Sequence, residues 1–179
     1  VEYNGKSLLE YGDISATSFH ATKIFQSGEG GACVTTNDTW SERIKRLRFF
    51  GHDENKDIVD AGMNGKMTEV HAGLGLASLK WLNDVWRDRR DKYELYMDLL
   101  SASNSIKFQK FPADSYNYSY MPVLLEDENH LHAVANHLNK HNIYPRRYFC
   151  PALNTVETLS ISESFPVAED LASRILCLP

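Results

Sequence analysis

The sequence has no long apolar run, and this absence excludes one class of protein. No stretch approaches the roughly 18 consecutive apolar residues of a membrane-spanning helix, and the N-terminus lacks the charged-then-apolar pattern of a signal peptide. Hydrophobic residues make up 42% and charged residues 24% of the 179 residues, which is ordinary for a globular protein. We therefore expect a cytoplasmic protein that binds no membrane.

Cysteine is scarce, and negative charge exceeds positive charge. Cys33, Cys150 and Cys177 are an odd number of thiols at wide spacing, which predicts buried free thiols rather than a disulfide framework. Lysine and arginine number 19 against 24 acidic residues, so the formal net charge is −5. This balance argues against a general nucleic-acid binder.

Several chemistry-bearing motifs are also missing. There is no G-x-S-x-G of a hydrolase, and Gly28-Glu-Gly-Gly31 has the wrong spacing for a dinucleotide-binding G-x-G-x-x-G. Gly62-Met-Asn-Gly-Lys-Met67 does not match a phosphate-binding P-loop. His137 and His141 are four residues apart, but no glutamate follows His137 as in H-E-x-x-H, so we expect no metal site.

One lysine, Lys23, lies in a stretch that suits covalent chemistry. Glycines follow it at residues 28, 30 and 31, and glycine lets the backbone turn tightly or approach a ligand closely. Short hydroxyl groups precede it and could donate to an anion: Ser15, Thr17, Ser18 and Thr22. The pattern favours a lysine that reacts beside a phosphate, and a purely structural lysine is the alternative.

Local signals predict the elements of the first half. Asn4-Gly5 predicts a hairpin turn, and residues 14–19 and 32–36 are predicted strands. Thr39-Trp-Ser-Glu42 has capping-box spacing and predicts a helix over residues 40–50. This helix carries basic side chains that either form a solvated face or contact an anionic substrate or a partner subunit: Arg43, Lys45, Arg46 and Arg48.

The second half begins with a long helical pattern. From Thr68, apolar residues recur at helical spacing for some thirty residues, and we predict a break near residues 82–84. Strands are predicted at residues 106–108 and 117–125, and helices follow the cap residue Asp127 and begin at Pro166. The composition shifts past Ser101, where a small α+β unit begins. We therefore predict two domains: residues 1–85, and residues 86–179, which include the connecting helix.

The segment Ser18-Phe-His-Ala-Thr-Lys23, with Gly28-Glu-Gly-Gly-Ala32 behind it, resembles the DegT/DnrJ/EryC1/StrS family of pyridoxal-phosphate-dependent sugar aminotransferases. In that family the lysine of S-F-[HS]-x-x-K forms the Schiff base with the cofactor. The resemblance therefore implies that Lys23 is the catalytic lysine. It also implies that Ser18 helps to hold the cofactor phosphate.

A second block resembles the same family. Gly62-Met-Asn64-Gly-Lys66-Met67, followed by Glu69 and Ala72-Gly-Leu-Gly-Leu76, is similar to the family's G-x-N-x-R-M…E-x-x-A-A-x-G-L. The resemblance implies that Asn64 reaches the cofactor phosphate of a neighbouring subunit, so the expected form is a homodimer with shared active sites. Lys66 stands where the family usually has arginine, and lysine lacks the planar fork of arginine.

The resemblance extends through Ile143-Tyr-Pro-Arg-Arg-Tyr-Phe-Cys-Pro151 and Phe165-Pro-Val-Ala-Glu169. It implies an α/β fold: the C-terminal part of an aspartate-aminotransferase-like large domain plus a small α+β domain. The implied substrates are L-glutamate and a nucleotide-linked keto-deoxy sugar of the dTDP-4-keto-6-deoxyglucose type. Candidate residues on the sugar side are His20, Arg146, Arg147 and Tyr148; a structural turn after Pro145 explains the last three nearly as well.

Members of that family begin well upstream of Val1, and the resemblance places there the acidic partner of the pyridine nitrogen, the ring-stacking group and the phosphate loop. We therefore expect the chain to be a fragment. Two alternatives to an aminotransferase remain: a non-catalytic dimerisation module of the same fold, and a sugar dehydratase of the same family. Those dehydratases carry histidine where this sequence has Lys23.

Overall fold

The computed structural model describes residues 1–111 and 116–179. Within them the chain forms two compact units: residues 1–88 with 116 and 117, and residues 89–111 with 118–179. Both units mix helices with antiparallel strands. That these two units correspond to the predicted domains 1–85 and 86–179 stays a prediction.

Two hairpins open the first unit. Strands β1 (Glu2–Tyr3) and β2 (Lys6–Ser7) are antiparallel. Asn4 and Gly5, at φ 52° and 71°, make the tight turn that the sequence predicted. Strands β3 (Ser15–Ser18) and β4 (Gly31–Val34) pair in register from Ser15 opposite Val34 to Ser18 opposite Gly31. Both predicted strands are confirmed, and the loop between them carries Lys23.

Helix α1 (Asp38–Arg48) begins earlier than predicted. The side-chain oxygen of Asn37 accepts from the Trp40 N–H at 3.1 Å, so Asn37 is the N-cap and the prediction of Thr39 was wrong. Asparagine satisfies an orphan N–H as well as threonine does. The Gly51 N–H donates to the Arg46 carbonyl at 2.9 Å and closes the helix at the glycine that the sequence indicated.

The predicted break in the long helical pattern exists. Helix α2 (Glu69–Leu79) is capped by Thr68, and helix α3 (Leu82–Leu100) follows after Lys80 and Trp81. The break therefore lies just before the predicted residues 82–84. Among the described residues, no helix is both long enough and apolar enough to cross a membrane.

The second unit packs helices on a three-stranded antiparallel sheet. Strands β5 (Lys107–Phe108), β6 (Met121–Leu124) and β7 (Ile175–Leu178) lie in that order. Helix α4 (Glu128–Lys140) has Asp127 as its N-cap, and helix α5 (Pro166–Arg174) has Pro166 in its first turn, as predicted. The core consists of buried side chains from β6, β7 and α4 and their flanks: Met121, Val123, Leu125, Leu131 and Leu176.

The cysteines only partly match the prediction of buried thiols. All three are free, but Cys33 and Cys150 are exposed and only Cys177 is buried. Along β4, the side chains of Ala32 and Val34 are half-buried while Cys33 is exposed. The alternation of a strand therefore places Cys33 on the uncovered face.

Candidate active site

The loop between β3 and β4 continues the hairpin instead of leaving it. The Phe19 N–H donates to the Gly30 carbonyl and the Ala21 N–H donates to the Gly28 carbonyl, each at 2.8 Å. The rings of Phe19 and Phe25 meet edge to face, with centroids 4.7 Å apart. These contacts bind the loop that carries Lys23 to the end of the hairpin.

The glycines after Lys23 serve close contacts within the chain. A Cβ on Gly31 would lie 2.7 Å from the Thr17 carbonyl oxygen. A Cβ on Gly30, which has φ +152°, would lie 2.5 Å from Met67 Cε and 2.8 Å from Ser27 Oγ. The close backbone approach that the glycine cluster predicted is therefore made with neighbouring segments of this chain.

Lys23 and Ser18 both present unused donors. The Lys23 backbone N–H donates to the His20 carbonyl at 2.9 Å, and the side chain is exposed. Within residues 1–111 and 116–179, the Lys23 ammonium makes no ion pair or hydrogen bond. Ser18 Oγ accepts from the His20 N–H at 3.2 Å, which leaves its proton to donate. A free amine and a hydroxyl donor in the same short segment are the two groups that an aldehyde bearing a phosphate, such as pyridoxal phosphate, requires.

The ring of His20 is oriented from both sides. Its Nδ1 accepts from the Thr22 N–H at 3.3 Å and lies 3.1 Å from Thr22 Oγ1. In the neutral ring the proton therefore lies on Nε2, which is 3.7 Å from the Glu29 carboxylate. Sequence reasoning assigned no role to Glu29, although it stands inside the glycine cluster. His20 is thus held within the same loop as Lys23.

Asn64 lies on a segment that is anchored to the C-terminal end of α1. It forms an isolated antiparallel bridge with Phe49, and its side chain is exposed. The ammonium of Lys66 lies over the rings of Phe50 and Phe49, 4.2 Å and 5.0 Å from their centroids. Lys66 therefore makes a cation–π contact at the position where the family usually has arginine.

The sugar-side candidates after Pro145 belong to the second unit. Arg146 Nη1 donates to the Tyr148 hydroxyl, and the Tyr148 ring stacks on Phe149 with centroids 4.7 Å apart. Arg147 donates to the Glu128 carboxylate and to carbonyls of α5. Any role of these residues toward a sugar stays a prediction.

A broad cleft of the first unit lies beside the predicted site residues. It has a volume of about 670 Å³, and its lining residues come from β3, β4, α1 and the Asn64 segment, including Thr17, Cys33, Arg48, Gly65 and Met67. Lys23, Ser18 and Asn64 do not line it. In the part of the chain that the structure describes, no three histidine, cysteine or acidic side chains come together as a metal site.

The sequence model of the DegT/DnrJ/EryC1/StrS aminotransferase family matches residues 1–179. The chain belongs to this family. Pyridoxal phosphate is the cofactor of its aminotransferases, and one solved relative from Bacillus cereus, 30% identical, is a proposed PLP-dependent aminotransferase. The family and cofactor that the sequence predicted are confirmed.

Relatives of known structure or name cover the whole chain. A dTDP-4-amino-4,6-dideoxy-D-glucose transaminase of Shigella dysenteriae is 37% identical over 100% of this chain and 50% of its own length. The aminotransferase TlmJ of Streptoalloteichus hindustanus superposes with a TM-score of 0.91 over 99% of this chain and 49% of its own, at 27% identity. DesI, solved with its TDP-sugar product, superposes with a TM-score of 0.89 over 99% of this chain and 47% of its own, at 29% identity.

These comparisons confirm the predicted fold. The TM-scores of the aminotransferase TlmJ and of DesI show that this chain has the same mixed α/β fold as these two proteins. The chain spans about half the length of the curated relatives it matches, with shares of 50% and 43% for the first two.

Proposed function

We propose that this protein is a pyridoxal-phosphate-dependent aminotransferase that moves an amino group from L-glutamate to a nucleotide-linked keto-deoxy sugar. The observation that carries the proposal is that Lys23 and Ser18, which lie in one short segment, both have a donor that the described residues leave unused. The Lys23 ammonium has no partner among the described residues, and the Ser18 hydroxyl retains its proton in the same short segment. The family membership of the whole chain supports this function.

Each residue has a distinct task in the proposed reaction. The cofactor, when bound, supplies an aldehyde carbon and an electron-withdrawing ring. Lys23 Nζ would hold the cofactor through its aldehyde carbon until the amine of the donor displaces it, and the freed neutral amine would then take a proton from the donor's α-carbon and deliver it to that former aldehyde carbon. Ser18 would donate its O–H to a phosphate oxygen, and the hydrogen bonds within the loop keep the backbone of both residues in place.

We also propose a homodimer in which Asn64 donates its side-chain amide to the phosphate bound by the other subunit. The exposed side chain of Asn64 is available for such a contact. Apolar side chains on and near α2 are also strongly exposed, with Val70 at 79%, Leu76 at 67% and Trp81 at 65%. Exposed apolar surface of this kind is typical of a face that packs against further polypeptide.

The sugar substrate that we propose is of the dTDP-4-keto-6-deoxyglucose type. Support comes from the Shigella relative, named for a dTDP-linked 4-amino-4,6-dideoxyglucose, and from DesI with its TDP-sugar product. We place the reaction in the cytoplasm, in the biosynthesis of deoxyamino sugars for surface polysaccharide such as the O-antigen of lipopolysaccharide. His20, in the Lys23 loop, is the sugar-side candidate nearest in sequence to the proposed chemistry.

Borohydride trapping tests the proposal. The protein is incubated with pyridoxal phosphate, reduced, digested and analysed by mass spectrometry. A pyridoxyl group is expected on Lys23 in the wild type, and Lys23→Ala is expected to lose this adduct. Lys56 is another exposed loop lysine, and Lys56→Ala is the control that is expected to retain the adduct on Lys23. An adduct spread equally over many lysines, or unchanged in Lys23→Ala, would refute the assignment.

The same preparation separates the alternatives. Addition of L-glutamate to the cofactor-loaded protein is expected to abolish trapping, because the cofactor then carries the amino group, and a dTDP-linked keto sugar is expected to restore it. A protein that traps no cofactor at all would support the non-catalytic dimerisation module. Cofactor bound at Lys23 that never exchanges an amino group would argue against transamination.

A further inference from the structure

We propose that Asp60 is a positioning residue that fixes Asn64 for its contact with the cofactor phosphate. This inference rests on the proposed function, in which Asn64 is a phosphate donor. The sequence did not single out Asp60, which stands in a charged stretch without helical or strand periodicity.

The carboxylate of Asp60 forms an ionic clamp with two arginines of α1, Arg43 and Arg46. Its Oδ2 accepts from Arg46 Nε at 3.1 Å, and its Oδ1 lies 3.6 Å from Arg43 Nε. The Asp60 side chain is only 17% exposed. A carboxylate held by two guanidinium groups in a mostly covered position is less screened than an ordinary surface pair. Two members of the basic face on α1 are therefore engaged within the chain.

Beside the ionic contacts of Asp60, backbone hydrogen bonds join the two ends of the loop. The N–H groups of Val59 and Asp60 donate to the Gly51 carbonyl at 2.9 and 3.2 Å. A Cβ on Gly51 would lie 1.8 Å from the Asp60 carbonyl oxygen, and a Cβ on Gly62 would lie 1.9 Å from the Gly51 nitrogen. Only glycine permits this approach, so the chain that leaves Asp60 passes directly against the chain that leaves α1.

The loop over residues 51–62 leads into the segment of Asn64, which lies at the C-terminal end of α1. The Met63 N–H donates to the Leu47 carbonyl and the Gly65 N–H donates to the Arg48 carbonyl, each at 2.8 Å. These are carbonyls of the last helical turn, which have no partner inside the helix. The residues on both sides of Asn64 are thus bonded to a helix end, while its own side chain stays exposed. Asp60 holds the loop in the conformation that makes these two bonds.

A comparison of two cofactor forms tests the positioning role. Pyridoxal phosphate and pyridoxal, which lacks the phosphate, are trapped on Lys23 with borohydride across a range of concentrations. We expect Asp60→Asn and Arg46→Gln to lower the preference for the phosphorylated form about tenfold, the factor that corresponds to one charge-assisted hydrogen bond. Asp57→Asn makes the same charge change at an exposed position of the same loop and is expected to leave the preference unaltered.

Hydrogen exchange provides a readout without cofactor. The Met63 and Gly65 amides are expected to exchange faster in Asp60→Asn than in the wild type, while amides of α5 keep their rates. Unchanged exchange at Met63 and Gly65, or a full phosphate preference in Asp60→Asn, overturns the proposal. General destabilisation would weaken trapping of both compounds alike and would also overturn it. A wild type without phosphate preference would instead refute the phosphate contacts that the proposed function gives to Ser18 and Asn64, and hydrogen exchange alone then decides whether Asp60 fixes the segment that carries Asn64.

Discussion

Arg147 and Glu128, nineteen residues apart, are joined by a hydrogen bond of 2.8 Å from Arg147 Nη2 to Glu128 Oε1. The same nitrogen lies 3.0 Å from the Ser173 carbonyl and 3.4 Å from the Ala172 carbonyl. Glu128 opens α4, and Ala172 and Ser173 lie near the end of α5. Arg147 therefore ties together the beginning of one helix and the end of another, where backbone carbonyls lack helical partners.

This contact predicts a cost in stability for Arg147→Lys. Lysine keeps the charge but lacks the planar fork that reaches a carboxylate and two carbonyls at once. The expected loss is about 1 to 2 kcal/mol in the free energy of unfolding, measured by urea denaturation. Arg146→Lys, in which the neighbouring arginine changes, is expected to cost less. If Arg147→Lys kept full stability and only raised the KM for the sugar, its role would lie with the substrate.

Two glycines give opposite predictions. Gly51 has φ +77°, and a Cβ there would lie 1.8 Å from the Asp60 carbonyl oxygen, so Gly51→Ala is expected to cost at least about 2 kcal/mol. Gly73 lies inside α2, and a Cβ added there would meet no atom of the described residues of its own chain within 4 Å, so Gly73→Ala is expected to gain roughly 0.5 to 1 kcal/mol from helix propensity in the monomer. Thermal unfolding of both variants provides the measurement. A neutral Gly51→Ala would show that the loop has room to relax.

Local chemistry predicts much of this fold because the signals act over a few residues. The Asn4-Gly5 turn, the Asp127 cap and Pro166 at the start of α5 each depend on backbone geometry next to the residue itself. The same reasoning chose Thr39 over Asn37 for α1, since both are good caps and the box spacing favoured Thr39. When two good cap residues lie this close in sequence, only the three-dimensional structure shows which of them is the N-cap.

Contacts between distant residues could not be predicted in this way. Asp60 meets Arg46 across 14 residues, and no periodicity links an irregular loop to a particular helix face. At the candidate site, the family motifs were enough to predict Lys23, Ser18 and Asn64 as site residues. Glu29 and Asp60 could not be predicted from those motifs, because their contacts with His20 and Arg46 are visible only in the structure. In the sequence, only the spacing of Arg43 and Arg46, one helical turn apart, indicated that the two side chains could share an acidic partner.

Glu169 provides a prediction about acid. Its Oε1 accepts from the Phe165 N–H at 2.8 Å, from Asn154 Nδ2 at 2.7 Å and from Ser164 Oγ at 3.1 Å. The bond from the Phe165 N–H, followed by that from Asn154, lowers the pKa of Glu169 below its ordinary value of 4.5. These donors favour the charged carboxylate in the folded state and are absent in the unfolded chain.

The sign of the pH dependence follows from the lowered pKa. Since the folded state binds a proton on Glu169 less readily than the unfolded state, this contribution to stability is fully present above pH 4.5 and is lost as the pH falls through the lower, folded pKa. Glu169→Gln has no charge to titrate, so the difference in free energy of unfolding between wild type and Glu169→Gln is expected to shrink toward zero over that interval.

Urea denaturation from neutral pH to well below 4.5 measures this difference at each pH. Glu163→Gln is the matched control, because Glu163 lies in the same connecting segment with its side chain exposed. Glu163→Gln removes the same charge from this segment and leaves the three donors to Glu169 in place, so a pH dependence that both variants share would not come from those donors. A Glu169→Gln difference that does not change with pH would mean that the three donors stabilise the folded state without preference for the charged carboxylate, and the segment before α5 would then owe its position to packing around Phe165.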